Sequence, residues 1–332
     1  MLKTESKTSI KTKLLILAIM FTNSNLFSFD EGIAKSGNIE IYYRDYGPAD
    51  GEPILLVQGI GGQLINWPQH LIEFLIKNNF RPIVYDNRDT GLSSRIQNDS
   101  FNKDNVNKTI IRNYIRYYLR LPIKSEYTID DMADDGVSVL DHLNIENAHI
   151  LGISMGGMIA QIMASSYPEK TKTFTLIAST ASTPSPFNGP SKDVRRLFIE
   201  RTKNVDATIE DRVNRTKKLF KLIGYQGIDL DTQEFSDNVK LSIERGGVDD
   251  TGFGRQLTAI LGSKNRIEKV RSISAPTLII HGKEDPLIGV KNAYRSNKLI
   301  KGSKLVIIDN MRHLIEPPVF DQFKSDLLAH LK

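Results

Sequence analysis

The stretch His149-Ile-Leu-Gly-Ile-Ser154-Met-Gly-Gly-Met-Ile-Ala-Gln-Ile-Met-Ala164 decides how the chain is read. Its first part is an apolar run of strand length, and its second part has the apolar content of a buried helix. Only residues 152–157 lie at the join. A serine on so sharp a corner lifts its hydroxyl above the sheet edge, and Gly152 and Gly156 keep the flanking positions free of bulk. The helix that starts there points its unpaired N–H groups at any anion formed on the hydroxyl. Gly-Ile-Ser-Met-Gly is thus a Gly-x-Ser-x-Gly corner, with Ser154 as the candidate nucleophile.

A serine hydroxyl needs a base, and the base needs an acid to orient it. Of the six histidines, His70, His142, His149 and His330 fall in helix or strand patterns and read as packing or surface residues. His313 differs. It lies in the loop Asp309-Asn-Met-Arg-His313-Leu, directly after the apolar run at 304–308, where an open α/β sheet builds its sites. The run at 276–280 ends in His281-Gly-Lys-Glu-Asp285-Pro-Leu, and Asp285 is the candidate acid, with Glu284 facing solvent. His281 is the second candidate base. The chain order Ser154, Asp285, His313 matches a nucleophile, acid and base carried on three different strand ends.

The anion formed on attack needs two donors. One is the Met155 N–H, next to the serine. The other comes from the turn Leu56-Val-Gln-Gly-Ile-Gly-Gly62, where Gly59 and Gly61 let backbone approach a substrate and the Ile60 N–H is the candidate donor. Gly-x-Gly-Gly here is not a phosphate loop, since no Gly-Lys-Ser/Thr follows it and dinucleotide spacing is absent.

Further apolar runs at 39–43, 53–57, 82–85 and 173–178 alternate with helical patterns at 67–77, 129–143, 155–167 and 318–331. Strand and helix in alternation predict an α/β protein with a mostly parallel central sheet flanked by helices. Residues 183–263 interrupt this rhythm with charge-rich helical sequence, too long for a bare loop, and predict an inserted helical cap. The core then comprises 29–182 and 264–332.

Composition excludes several classes. The 332 residues are 40% hydrophobic and 25% charged, as in an ordinary globular protein. With no cysteine there is no disulfide, thiolate metal site or cysteine nucleophile. The formal charge is +5, yet residues 1–28 carry Lys3, Lys7, Lys11 and Lys13 against Glu5, so without them 40 bases face 38 acids. A balance that even does not predict nucleic-acid binding. The N-terminal lysines, the short apolar block Leu14 to Phe21 and the polar stretch to Ser28 have the layout of a secretory leader over 1–28. This predicts an exported protein, the alternative being a cytoplasmic one with a polar tail.

With these residues assembled, the chain resembles the α/β-hydrolase superfamily over roughly 38–332. Tyr85-Asp-Asn-Arg-Asp-Thr-Gly-Leu-Ser-Ser94 is similar to the Asp-x-Arg-x-x-Gly-x-Ser turn of its esterase, epoxide hydrolase and C–C hydrolase branch. The wording of three motifs is most similar to esterases related to aclacinomycin methylesterase. That resemblance implies a serine carboxylic-ester hydrolase with a helical cap, a small-molecule ester substrate and neither cofactor nor metal. The alternatives on the same triad are C–C or amide hydrolysis, acyl transfer and cofactor-free perhydrolysis, and outside catalysis a ligand-binding protein on this fold. Gln58-Gly59 departs from the His-Gly of many relatives. Serine at 154 departs from the aspartate nucleophile of haloalkane dehalogenases and epoxide hydrolases.

One more pattern stands apart. In Ile110-Ile-Arg-Asn-Tyr-Ile-Arg-Tyr-Tyr-Leu-Arg120, helical spacing predicts Arg112, Arg116 and Arg120 on one face and Ile111, Tyr114, Ile115 and Tyr118 on the other. Such a helix fits weak contact with an anionic membrane surface.

Overall fold

The computed structural model describes residues 28–97, 106–181, 189–203, 207–246, 250–263 and 265–332. The expected leader falls outside the described residues apart from Ser28. Eight strands form one sheet in the order β1-β2-β4-β3-β5-β6-β7-β8. They are β1 (Phe29–Ser36), β2 (Ile39–Tyr46), β3 (Glu52–Val57), β4 (Phe80–Tyr85), β5 (Ala148–Ile153), β6 (Thr171–Ile177), β7 (Thr277–Gly282) and β8 (Lys304–Ile308). From β4 to β8 every neighbouring pair is parallel, whereas β1/β2 and β2/β4 are antiparallel. The expected α/β layout of a mostly parallel sheet between helices is therefore present.

Burial on both faces explains the apolar runs. In β3, Ile54 and Leu56 enter one core layer while Leu55 and Val57 enter the other. In β7, Leu278 and Ile280 pack on the first side and Ile279 on the second. Successive side chains of a strand point to opposite faces, so a strand covered on both sides has no place for polar alternation. One layer is closed by α1 (Gln69–Lys77) and the C-terminal helix Pro317–Leu331, the other by the helices Ile129–His142 and Met155–Ser166. Thr128 caps Ile129–His142, its hydroxyl accepting from the Asp131 N–H while the Asp131 carboxylate accepts from the Thr128 N–H.

Strand β1 is absent from the sequence reading. It pairs residue for residue with β2 through the turn at Gly37, whose φ of +57° suits glycine. Only Ala34 along it is fully buried, and its sequence FDEGIAKS carries no β-branched run to announce a strand.

Between β6 and β7 lie the helices Lys192–Lys203, Ile209–Ile223, Gln233–Gly246 and Thr251–Gly262. The Asp250 carboxylate joins three of them, meeting Arg201 at 2.9 Å, Arg212 at 2.9 Å and Arg215 at 3.3 Å. Burial works to raise that carboxyl, but the three guanidinium charges outweigh it and lower it. Val194, Phe198, Ile223, Phe253, Leu257 and Leu261 form an apolar layer beneath, together with Val106 and Ile110.

The helix Val106–Tyr118 differs from the expected division of faces. It buries Val106, Thr109, Ile110 and Asn113, because Thr251–Gly262 packs there and Asn113 Nδ2 donates to Thr258 Oγ1 at 3.2 Å. Ile111, Ile115 and Tyr118 therefore share the outer surface with Arg112, rather than opposing it.

Candidate active site

Ser154 stands between β5 and the helix Met155–Ser166 with φ 56° and ψ −120°. Side chains seldom adopt this backbone, and holding a residue there costs about 1–3 kcal/mol that the surroundings must offset. Three bonds do so. The Ser154 N–H donates to the Ile177 carbonyl at 3.0 Å, and the Ser154 carbonyl accepts from Ser179 Oγ at 2.6 Å and from the Gly157 N–H at 3.0 Å. The glycines are sterically required. A Cβ at Gly152 would overlap the Gly156 carbonyl, and one at Gly156 would overlap the Val57 carbonyl oxygen.

The loop after β3, with the candidate oxyanion donor Ile60, comes close to this corner. An added Cβ on Gly59 would lie 3.2 Å from Ser154 Cβ, so glycine lets the loop after β3 approach the nucleophile. Gln58 Oε1 accepts from the Gly59 N–H at 2.8 Å, and Asn87 Nδ2 donates to the Gln58 carbonyl at 3.0 Å. Gly61 has φ +68°, and its N–H donates to Gln256 Oε1 at 2.8 Å. Among the described residues, the N–H groups of Ile60 and Met155 have no protein acceptor. They remain the candidate donors for a substrate oxygen.

Gln256 was not legible beforehand. Fully buried on Thr251–Gly262, it also donates Nε2 to the Arg88 carbonyl at 2.8 Å and to Thr90 Oγ1 at 2.7 Å. It thereby pins the loop after β3 to the turn after β4. That turn is braced further by Arg245 on Asp86 at 2.6 Å, Arg255 on Asp89 at 2.8 Å and Arg88 on Asp135 at 2.6 Å. The first two arginines come from the helices between β6 and β7, so the Asp-x-Arg-x-x-Gly-x-Ser turn fastens them to the core.

Asp285 and His313 meet directly. His313 Nδ1 lies 2.7 Å from Asp285 Oδ2, while Asp285 Oδ1 accepts from the N–H groups of Leu287 at 2.8 Å and Ile288 at 2.9 Å. Burial acts to raise this carboxyl, but the His313 charge and hydrogen bonds from His281 and His313 hold it at about 2. An ionised carboxylate only accepts, so Nδ1 carries the proton of this hydrogen bond and Nε2 lies on the side of the ring away from Asp285. The His313 N–H donates to the Ile223 carbonyl at 2.8 Å, which fixes the loop against the end of Ile209–Ile223.

His281, the second candidate base, has one ring nitrogen engaged by the backbone. Its Nε2 donates to the Ile288 carbonyl at 2.6 Å and lies 3.4 Å from Asp285 Oδ2, so it supports the acid from behind. Glu284 is exposed. Ser154 Oγ has no hydrogen bond to His313 among the described residues, and such bonds commonly tighten only when substrate closes the site. Among the described residues no group of three or more His, Asp or Glu side chains could hold a metal ion.

A family model described as alpha/beta hydrolase fold matches residues 52–315. The chain belongs to the α/β-hydrolase fold family. Among its relatives, the rhodomycin D methylesterase DnrP of Streptomyces peucetius is 25% identical over 328 residues, covering 94% of this chain and 97% of that protein. The rhodomycin D methylesterase DauP of Streptomyces sp. strain C5 is 26% identical over 86% of this chain and 92% of its own length. The fold is shared with the enol-lactonase from Burkholderia xenovorans LB400 at a TM-score of 0.67, with 18% identity over 90% of this chain and 99% of that one.

Proposed function

We propose that this α/β hydrolase cleaves a carboxylic ester through an acyl-enzyme intermediate. Ser154 Oγ attacks the ester carbonyl as His313 Nε2 takes its proton, and Asp285 stabilises the imidazolium that results. The Ile60 and Met155 N–H groups receive the tetrahedral oxyanion. The alcohol leaves with the proton from His313, and water activated by the same nitrogen then frees the acid. The observation that carries this reading is a serine held at positive φ beside two backbone donors that nothing among the described residues occupies.

Two rhodomycin D methylesterases among the relatives make methyl esters the first substrates to try. The test is a panel of methyl, short-chain and aryl esters beside amides and β-diketones, run on wild type and Ser154→Ala. Ester turnover that the variant loses by several orders of magnitude supports the reading. Turnover confined to diketones or amides would replace it with other chemistry on the same residues, and ligand binding with no turnover at all would leave a binding protein.

A further inference from the structure

The helix Val106–Tyr118 and the turn after it carry Lys108, Arg112, Arg116, Arg120 and Lys124, with no acidic residue between 105 and 125. Among the described residues none of these five pairs with a carboxylate, and Arg116 donates only to the Pro122 carbonyl. The same surface bares Ile111, Ile115, Tyr118, Leu119 and Leu121, half of the large apolar side chains exposed among the described residues. Leu119 is 63% exposed and Ile115 55%. Arg195 and Ile199 of the helix Lys192–Lys203 extend the patch, Arg195 Nη1 donating to the Tyr118 hydroxyl at 3.0 Å.

We infer that this edge docks on an anionic lipid surface, its apolar side chains entering the headgroup boundary and its cations facing lipid phosphates. Exposed Leu and Ile interleaved with unpaired Arg and Lys suit an interface that is apolar at depth and anionic at its rim. A second copy of the chain is a poor occupant, since a two-fold contact would set Arg112 and Arg120 against the same cations. Among the described residues no helix is long and apolar enough to cross a membrane, so the contact is one of lying on the surface. The location ties it to the site. The buried side of this helix packs into the layer of Phe198, Phe253 and Leu257, which also takes in Ile60, Leu287 and Leu314 beside the candidate catalytic residues. A docked protein would hold the roof of its site against the bilayer, where apolar esters concentrate.

Flotation of the full chain with phosphatidylglycerol/phosphatidylcholine vesicles tests this, against pure phosphatidylcholine and against high salt. The wild type is expected to float with the anionic vesicles and to lose about ten-fold in partitioning in either control. The pairs Ile115→Asp/Leu119→Asp and Arg112→Gln/Arg120→Gln should each lose about ten-fold as well, with unchanged melting temperature and unchanged turnover of a water-soluble ester. Tyr294→Asp, an exposed aromatic on the helix Lys291–Leu299, should still float. Wild type that stays in solution, or patch variants that float as well as wild type, would overturn the inference. So would patch variants that abolish a dimer or an acidic-protein complex while the wild type ignores vesicles.

Discussion

Asp285 gives one carboxylate oxygen to His313 at 2.7 Å and the other to the N–H groups of Leu287 and Ile288. The carboxylate is thus held by its own turn as well as by the ring it meets. Asp285→Asn would offer Nδ1 an amide in place of a carboxylate and favour the wrong tautomer. We expect kcat for ester hydrolysis to fall about 10⁴-fold with circular dichroism unchanged. A loss of less than about ten-fold would mean that His313 is oriented by something else.

Gly156 should tolerate no side chain. Because an added Cβ there meets the Val57 backbone carbonyl, which cannot rotate away, Gly156→Ala is expected to lose at least about 3 kcal/mol in urea unfolding. Wild-type stability in that variant would show that the corner is looser than described.

The Asp89–Arg255 pair fastens the helix Thr251–Gly262 to the turn after β4, and both side chains are buried. Removing one partner strands a charge, at a cost of about 3–5 kcal/mol. Arg255→Met should therefore destabilise more than the double change Arg255→Met/Asp89→Asn. Equal losses would remove the ion pair from the account.

His149 supplies a pH dependence. Burial, with the Lys172 charge added, lowers it from 6.5 to about 4, although Glu52 opposes. The folded ring stays neutral while the unfolded chain takes up a proton, so stability is complete above pH 6.5 and falls as pH drops towards about 4. That loss is on the order of 3 kcal/mol. His149→Gln should flatten the decline in urea midpoint over this window, and an equally steep decline would place the titration elsewhere.

The candidate site residues could be named from the sequence because each lies within five residues of the end of an apolar strand. Ser154 follows β5, Asp285 follows β7 and His313 follows β8, and runs buried on both faces are the strongest pattern a sequence offers. What escaped depends on partners distant in the chain. Gln256 and Gly61 are 195 residues apart, and nothing in a helical glutamine announces a loop it will cap. The outer face of Val106–Tyr118 was misjudged for the same reason, since the packing of Thr251–Gly262 decides which of its apolar residues go inside. Strand β1 was missed because only Ala34 on it is fully buried.

The central claim is that Ser154 is an activated nucleophile. Its most direct test is labelling with a fluorophosphonate, followed by peptide mass mapping, on wild type and His313→Ala. The account predicts one phosphonyl group on Ser154 that disappears when His313 is removed. A folded wild-type protein that takes no label, or takes it on another residue, would contradict it.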